Sequence, residues 1–521
     1  MSNIDVAFLL LTLILVTALA ARHTSIPTPV IFALVGIVSG AAWHLFPALP
    51  PVRMEPDLVL FAFLPPLLMT AAYALPLQAF RRHLIPISLL AVGLVLATMG
   101  VTALVGHLLL GLSWAAAWVL GAIIAPPDPV AATAVAGKTG LAHRLVIILE
   151  GEGLVNDAVA IVAYGIAVQA LVTGEFAWGD ALWSLVRETP TGILIGLFVG
   201  GAAAFVRRRA DSVPLEIGIS LVTPYLTYHL ADVLGCSAVL AVVTLGFMLR
   251  WSSLRVSSPV ARLAARTVWS FLRYASTALV FLLLGLLIGE IAVNWPSREV
   301  LVAGLILSAA IVAIRMIWML LGSKLATVFN IRQAKTSIAE QIVVGWAGMR
   351  GVVSLALALA LPLSLGVDQT RHTIIFLTLI VIITTLIAQG VTLMPLVRWL
   401  KVGDPKRDQR EERHARLRAR QAGLRAIRRA EQVTFDHAAR QKLIREIDDG
   451  TRGIGAPGAG TSRLGNQVLA QALEAQRDVV NQLREAGQLS SELAERLDTE
   501  LDLDAMSARG EATRLTDGSD A

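Results

Sequence analysis

Residues 151–164 read GEGLVNDAVAIVAY, which places two acids and an amide inside a long apolar segment. At about 1.5 Å per helical residue, Asp157 lies roughly 21 Å from His143, where the segment opens, and therefore near the middle of a bilayer. Glu152 and Asn156 form an i,i+4 pair on the helix face next to that of Asp157. Because an ionised side chain is costly inside a membrane, Asp157 indicates a site for a proton or a cation. The alternative is a structural hydrogen-bonding group.

A second polar position follows GAIIA in the segment GAIIAPPDPVAATAVAG at 121–137. Pro126, Pro127 and Pro129 lack amide donors and break a helix, and Asp128 lies in the break. Inside a membrane such a break persists only where it is buried or lines a wet cavity. The freed carbonyls and the positive end of a half-helix can together hold ions. The alternative is a loop end with an interfacial aspartate.

A third unusual segment, VVGWAGMRGVVSLALALALP, carries Arg350 among Gly345, Gly348 and Gly351. These glycines permit close backbone approach and local unwinding. An arginine at this depth needs a partner inside the protein. The alternative is that Arg350 reaches the membrane surface with its long side chain, as we expect for Arg315 near the end of its own span.

The composition is that of an all-α polytopic membrane protein. The 521 residues are 55% hydrophobic and 16% charged, and the mean hydropathy is +0.68. Apolar stretches of about 20 residues recur between residues 4 and 399, and lipid favours helices because it cannot satisfy open backbone groups. The sequence predicts about thirteen transmembrane helices: 4–21, 28–47, 57–75, 84–110, 114–137, 143–173, 189–206, 213–230, 235–250, 267–290, 299–321, 337–362 and 371–399.

The connections between these spans alternate in charge. The odd-numbered connections hold fifteen lysines and arginines and the even-numbered ones hold four, which predicts that the odd connections are cytoplasmic. The N-terminus is then outside, and the C-terminal tail is inside. Residues 4–21 are interpreted as a retained span, because the first residues are MSNID and carry no basic group. This pattern favours the cytoplasmic (inner) membrane of a prokaryote.

Several function classes find no support in the sequence. No phosphate-binding loop, nucleotide fingerprint or Cys/His cluster occurs, so we expect no ATP-driven pump, no enzyme and no cofactor. The formal net charge of +6 is explained better by basic loops than by nucleic-acid binding. A single cysteine, Cys236, excludes an intramolecular disulfide framework.

The two interrupted spans are the fifth and the twelfth, and they are therefore seven spans apart along the chain. Two inverted six-helix repeats, spans 1–6 and 8–13, place them in equivalent positions, and paired broken helices are typical of a transport site near the bilayer middle. We therefore expect a transmembrane domain over 1–400 and a cytoplasmic helical tail over 401–521. The tail begins with a basic segment suited to anionic membrane lipid. A Gly-rich linker over 450–465 and two amphipathic helices within 466–502 follow.

Four segments resemble motifs of the cation:proton antiporter-1 family, which includes the sodium/proton exchangers. They are GEGLVNDAVAIV, APPDPVAATAV, GMRGVVSLALALALP and FLPPLLMTAAY at 63–73, and the resemblance spans about residues 4–400. It implies that Asp157 alternately binds a proton and a cation, with Asn156 as its motif partner and Asp128 ordering the site. It further implies a buried ion pair between Glu152 and Arg350, a homodimer, and an elevator-like motion of the ion-binding core.

Three positions depart from the pattern that the family usually shows. Thr70 stands where many members have an acid, Pro127 where a threonine is common, and Gly153 where a serine is usual. Oxygen ligands are thereby lost or weakened, which makes K⁺ more plausible as a substrate than it usually is in this family. Backbone carbonyls or water could replace these ligands.

The expected function is electroneutral exchange of Na⁺, or Li⁺, for H⁺ by alternating access. In this hypothesis the transported monovalent cation binds at Asp157 and Asp128. The alternatives are K⁺/H⁺ antiport on the same architecture, a passive cation channel, and a receptor that signals through residues 401–521. The partner of the tail is not readable from the sequence.

Overall fold

The structure, a computed structural model, describes residues 3–24, 26–43, 56–130, 132–133, 141–174, 178–210, 212–256, 259–292, 297–328, 337–362, 368–402, 407–429 and 463–508. Within these ranges every regular element is a helix. The predicted linker lies almost entirely outside the described residues.

The described α-helices are numbered in chain order. They are α1 (Asn3–Ala21), α2 (Thr28–Trp43), α3 (Pro56–Ala74), α4 (Leu77–Arg82), α5 (Leu84–Ser88), α6 (Val95–Leu110), α7 (Trp114–Ile124), α8 (His143–Thr173), α9 (Trp178–Arg207), α10 (Val213–Val233), α11 (Ala238–Val256), α12 (Pro259–Ala292), α13 (Arg298–Val328), α14 (Ile338–Trp346), α15 (Val352–Leu359), α16 (Asp368–Trp399), α17 (Arg407–Arg429), α18 (Arg463–Glu485) and α19 (Ser491–Ala508). A π-helical segment, Leu89–Leu94, joins α5 to α6.

The apolar helices agree with a polytopic membrane protein. Among the described residues, six helices are long and apolar enough to cross a membrane, and five shorter apolar helices accompany them. The all-helical class is thereby confirmed, whereas the number thirteen and the inverted repeats remain predictions.

The two predicted interruptions are present and have local causes. Helix α7 ends at Ile124, and helical backbone resumes at Val130, beyond the prolines. Helix α14 ends at Trp346, and α15 begins at Val352, beyond the glycine-rich stretch. Each interrupted span therefore presents two half-helix ends to the protein interior.

Helices α2 and α12 pack in close backbone contact. Each carries a Gly-xxx-Gly pair, Gly36 and Gly40 on α2 and Gly285 and Gly289 on α12. A Cβ atom added at any of the four would overlap backbone atoms of the opposite helix. Small residues are the usual means by which membrane helices gain packing contacts, because lipid offers no hydrophobic drive for association. Helices α2 and α12 thus form a closely packed wall, and α12 contacts α15 of the second interrupted span.

Helices α17–α19 form a helical unit with its own apolar core, which packs against the membrane helices. Asp502 is fully buried and makes ion pairs with Arg262 at 2.5 Å and with Arg477. Arg484 donates a hydrogen bond to the Ala74 carbonyl at 2.5 Å, and burial lowers its pKa to about 9. His143, at the start of α8, contacts Glu411 on α17. The tail is thus docked on the end of the helical bundle at which α8 begins.

Candidate ion-binding site

The two interrupted spans cross at Asp128 and Met349. The Asp128 amide donates a hydrogen bond to the Met349 carbonyl at 2.7 Å. The Arg350 guanidinium donates to the Ile124 carbonyl and to the Gly348 carbonyl, both at 2.5 Å. Because a helix end leaves its last carbonyls unpaired, Arg350 satisfies groups that the breaks themselves expose. The crossing is therefore held by backbone and guanidinium hydrogen bonds.

Charges at the crossing complement the half-helix dipoles. Arg350 lies at the C-terminal end of α7, where the helix presents partial negative charge. Asp128 lies against Gly351, the N-cap of α15, where partial positive charge is presented. A Cβ atom on Gly351 would overlap the Asp128 carboxylate, so glycine is required for this approach. The Val130 amide also donates to Asp128 Oδ1 at 2.9 Å.

Among the described residues, the structure does not show the predicted ion pair between Glu152 and Arg350. Glu152 instead pairs with Arg315 on α13, at 2.5 Å for Oε1 and 2.8 Å for Oε2. Both side chains are only 2% exposed. Arg315 therefore does not extend to the membrane surface either, contrary to the expectation from its place near a span end.

A steric feature explains why Arg315, rather than Arg350, pairs with Glu152. A Cβ atom on Gly348 would overlap the side chain of Arg315, so this glycine opens the passage through which Arg315 reaches Glu152. Arg315 is further held by the Val344 carbonyl, at 3.4 Å from both Nε and Nη2. The guanidinium of Arg350 is meanwhile engaged at the carbonyls of the crossing.

Asp157 and Asp128 line one cavity of about 200 Å³, to which both are partly exposed. The two carboxylates repel each other electrostatically. Among the described residues, neither makes an ion pair with a lysine or arginine. A pair of uncompensated carboxylates beside an accessible space is suited to bind a hard cation or a proton.

Asn156 connects the carboxylate helix to the break. It is buried, and its Nδ2 donates to the Pro127 carbonyl at 3.3 Å. Its Oδ1 has no hydrogen-bond partner among the described residues. Asn156 thus fixes α8 against the broken span and leaves one amide oxygen available.

The three departures from the family pattern all line the cavity. Thr70 Oγ1 donates to the Leu67 carbonyl at 3.0 Å and can still accept. Pro127 contributes its carbonyl, which accepts from Asn156. Gly153 packs so closely on Pro129 that an added Cβ atom would overlap the proline ring. Glycine at position 153, where a serine is usual, therefore allows α8 to pack closely against the break in the fifth span.

The cavity also contains residues to which the sequence had assigned no role. Glu150 and Ser354 line it, as does Arg273 on α12. Glu150 precedes Asp157 by seven residues, a spacing that places both on one helix face and could have identified it. Nothing local distinguishes Ser354 from the apolar residues around it. Among the described residues, no cluster of three His, Cys, Asp or Glu could hold a resident metal.

Comparisons with known proteins agree with this architecture. The family described as "Sodium/hydrogen exchanger, transmembrane" matches residues 9–399. The Na(+)/H(+) antiporter ApNhaP of Aphanothece halophytica is 32% identical over 408 residues, which cover 77% of this chain and 76% of that protein. A sodium, potassium, lithium and rubidium/H(+) antiporter of Bacillus pumilus is 32% identical, over 71% of this chain and 58% of that protein.

A solved structure shares the fold. The sodium proton antiporter MjNhaP1 from Methanocaldococcus jannaschii superimposes with a TM-score of 0.61 at 20% identity, over 78% of this chain and 100% of that one. This is a family of transporters, in agreement with the expectation that the chain is not an enzyme. On the match over residues 9–399, the chain belongs to the sodium/hydrogen exchanger family.

Proposed function

We propose that this chain is a secondary antiporter that exchanges Na⁺ for H⁺, with Asp157 as the carboxylate that carries either ion. The observation that supports it most is the setting of Asp157: a carboxylate beside Asp128, on a cavity between two broken helices. Relatives of this chain bear names of Na⁺/H⁺ antiporters.

Coupled exchange follows because the proton and the cation compete for the same carboxylate, Asp157. An ionised carboxylate is costly to move through the membrane without compensation, whereas a protonated or cation-loaded one is nearly neutral. A proton and a hard cation both supply that compensation, so each excludes the other. Only the loaded forms then cross, and the two flows are coupled. Asp128 and Asn156 complete the oxygen set around the ion in this proposal.

The charge balance favours electroneutral 1:1 exchange. Glu152 is neutralised by Arg315, so it does not add a second titrating carboxylate. In this proposal Asp128, which accepts the Val130 amide and faces the N-terminal end of α15, stays a cation ligand and does not carry the transported proton. One carboxylate, Asp157, then titrates for each cation carried.

Potassium is the second candidate substrate. Pro127 and Gly153 supply no side-chain oxygen, and Thr70 supplies a hydroxyl where many members have an acid. Fewer charged ligands favour a larger and more weakly hydrated cation. The Bacillus pumilus relative is named for potassium and rubidium as well as for sodium and lithium.

The proposal includes placement and assembly. The N-terminus is outside, and the tail is on the cytoplasmic side of a prokaryotic inner membrane, as the loop charges indicate. Residues 1–400 form the exchange domain and 401–521 the tail. Two copies form a homodimer, in which the crossing region moves relative to the wall formed by α2 and α12.

Proteoliposomes with a preset pH gradient test the proposal. Addition of Na⁺, Li⁺ or K⁺ to the wild type should dissipate the gradient without generating a membrane potential, and Asp157→Asn should abolish this response. A cation flux that steepens with voltage and moves no protons would instead identify a passive channel. Dissipation that persists in purified Asp157→Asn rules out the assigned carboxylate.

A further inference from the structure

Ser354 is a buried hydroxyl without a partner. It is the third residue of α15 and is 1% exposed. A serine inside a helix ordinarily donates to the carbonyl three or four residues earlier. Ser354 Oγ instead has no hydrogen-bond partner among the described residues. An unsatisfied buried hydroxyl destabilises the fold, so its presence requires an explanation.

The position of Ser354 supplies that explanation. Ser354 and Gly351 are three residues apart and lie on one face of the α15 N-terminus. Gly351 lies against the Asp128 carboxylate, so the same face directs Ser354 toward the break. Ser354 lines the cavity that Asp128 and Asp157 share. The Ser354 hydroxyl is therefore about one helical turn from Gly351, the residue against which the Asp128 carboxylate lies.

The surrounding polar groups leave this oxygen available. Asn156, which donates to the Pro127 carbonyl at the break, also has a buried oxygen, Oδ1, without a partner among the described residues. By contrast, Thr70 and Thr133, which also line the cavity, each donate to a backbone carbonyl. Pro127 and Gly153, which also line the cavity, carry no side-chain oxygen, so α15 can supply one that the break lacks.

We propose that Ser354 Oγ is a ligand of the transported monovalent cation, and that it supplies a hydroxyl that the broken fifth span lacks. This rests on the proposed function, in which Asp157 binds that cation. Without an ion, the hydroxyl remains unpaired, and with Na⁺ or K⁺ bound between the carboxylates its lone pairs are used. The ion thereby offsets the cost of burying an unpaired hydroxyl.

The test measures binding separately from exchange. Purified protein is heated in NaCl or KCl against choline chloride at equal ionic strength, and the melting temperature is followed as cation is added. Ligand binding to the folded state raises the melting temperature, so the half-maximal concentration reports affinity. Asp157→Asn should abolish the shift. Ser354→Ala should raise the half-maximal concentration about tenfold, the effect of losing one polar contact to a charged group.

The cation-free melting temperature separates a ligand from a structural residue. Removal of an unpaired buried hydroxyl should leave the cation-free melting temperature of Ser354→Ala equal to or above that of the wild type. Ser308→Ala is the matched control, because Ser308 is also buried but donates to the Gly304 carbonyl at 2.8 Å. It should leave cation affinity unchanged.

An unchanged half-maximal concentration in Ser354→Ala for both cations overturns the proposal, with or without a lowered melting temperature. Failure of the proposed function gives a different result, since the wild type then shows no proton movement in liposomes, and Asp157→Asn leaves the cation shift intact.

Discussion

Arg315 of α13 and Glu152 of α8 form a two-point ion pair, 2.5 and 2.8 Å long, that is almost completely removed from solvent. The pair joins the helix that carries Asp157 to a helix 163 residues away along the chain. It leaves Arg350 to hold the crossing of the broken spans through backbone carbonyls. The structural ion pair and the proposed ion-binding carboxylate therefore reside on neighbouring faces of α8.

Separating this pair should be costly. Glu152→Gln or Arg315→Gln leaves one buried charge uncompensated, and each should lower the free energy of unfolding by about 3–5 kcal/mol. The double variant Glu152→Met with Arg315→Met should recover most of that loss, because apolar groups of similar volume replace both charges. Thermal unfolding in detergent gives the comparison.

The surface pair Arg144–Glu340 is the matched control, since Arg144 is 44% exposed. Arg144→Gln should cost under about 1 kcal/mol. If the single variants of Glu152 and Arg315 are as stable as this control, the assignment of these two residues as a buried ion pair is contradicted.

Gly351→Ala should abolish exchange. The added methyl group meets the Asp128 carboxylate and must displace it from the N-terminal end of α15. Gly100→Ala is the control on α6, because no heavy atom lies within 4 Å of the added Cβ atom there. Alanine favours a helix over glycine by about 1 kcal/mol, so Gly100→Ala should be as stable as the wild type or more so. Wild-type exchange by Gly351→Ala would show that the position of Asp128 is unimportant.

Glu150→Gln should weaken cation uptake from the tail side. Glu150 lies about 10 Å along α8 from Asp157, and unit charges at that distance interact by about 1–2 kcal/mol in a partly hydrated interior. Arg273 lines both the site cavity and a cavity of about 330 Å³ beneath the tail, so it repels cations once Glu150 is neutral. We expect a roughly tenfold higher KM at low salt, and less at high salt.

The double variant Glu150→Gln with Arg273→Gln tests the electrostatic origin of this effect. Removing both charges should bring KM back toward the wild-type value. A KM that stays as high as in Glu150→Gln alone shows that Glu150 contacts the cation directly.

Two aspartates on α19 should affect tail docking in opposite ways. Burial raises the pKa of Asp498 above its ordinary value of 3.8. The docked state therefore holds this proton more tightly than the released state, so docking weakens as pH rises through the raised pKa. Asp498→Asn should remove that dependence and strengthen docking at neutral pH. Asp502→Asn should weaken docking, because Asp502 is paired with Arg262 and Arg477.

Hydrogen exchange of residues 491–508 across a pH series measures the docking of α19. The prediction fails if Asp498→Asn keeps the wild-type pH dependence after correction for intrinsic exchange rates.

Much of the architecture was predictable because its causes are local. Prolines at 126, 127 and 129 and the glycines around Arg350 interrupt helices wherever they occur in a chain, and the structure confirms both interruptions. The periodicity of α8 places Glu150 and Asp157 on one face without reference to other helices. The number of spans, the orientation of the termini and the homodimer remain predictions.

By itself, the sequence determined that this is a membrane protein with ionisable groups at two broken spans, because apolar length, proline and glycine act within a few residues. Only the tertiary structure decided which arginine neutralises Glu152. Arg315 and Arg350 are both intramembrane cations, and the selection depends on the passage beside Gly348 and on the carbonyls exposed at the crossing. These are distances between residues far apart in the chain, and they are fixed when the helices pack.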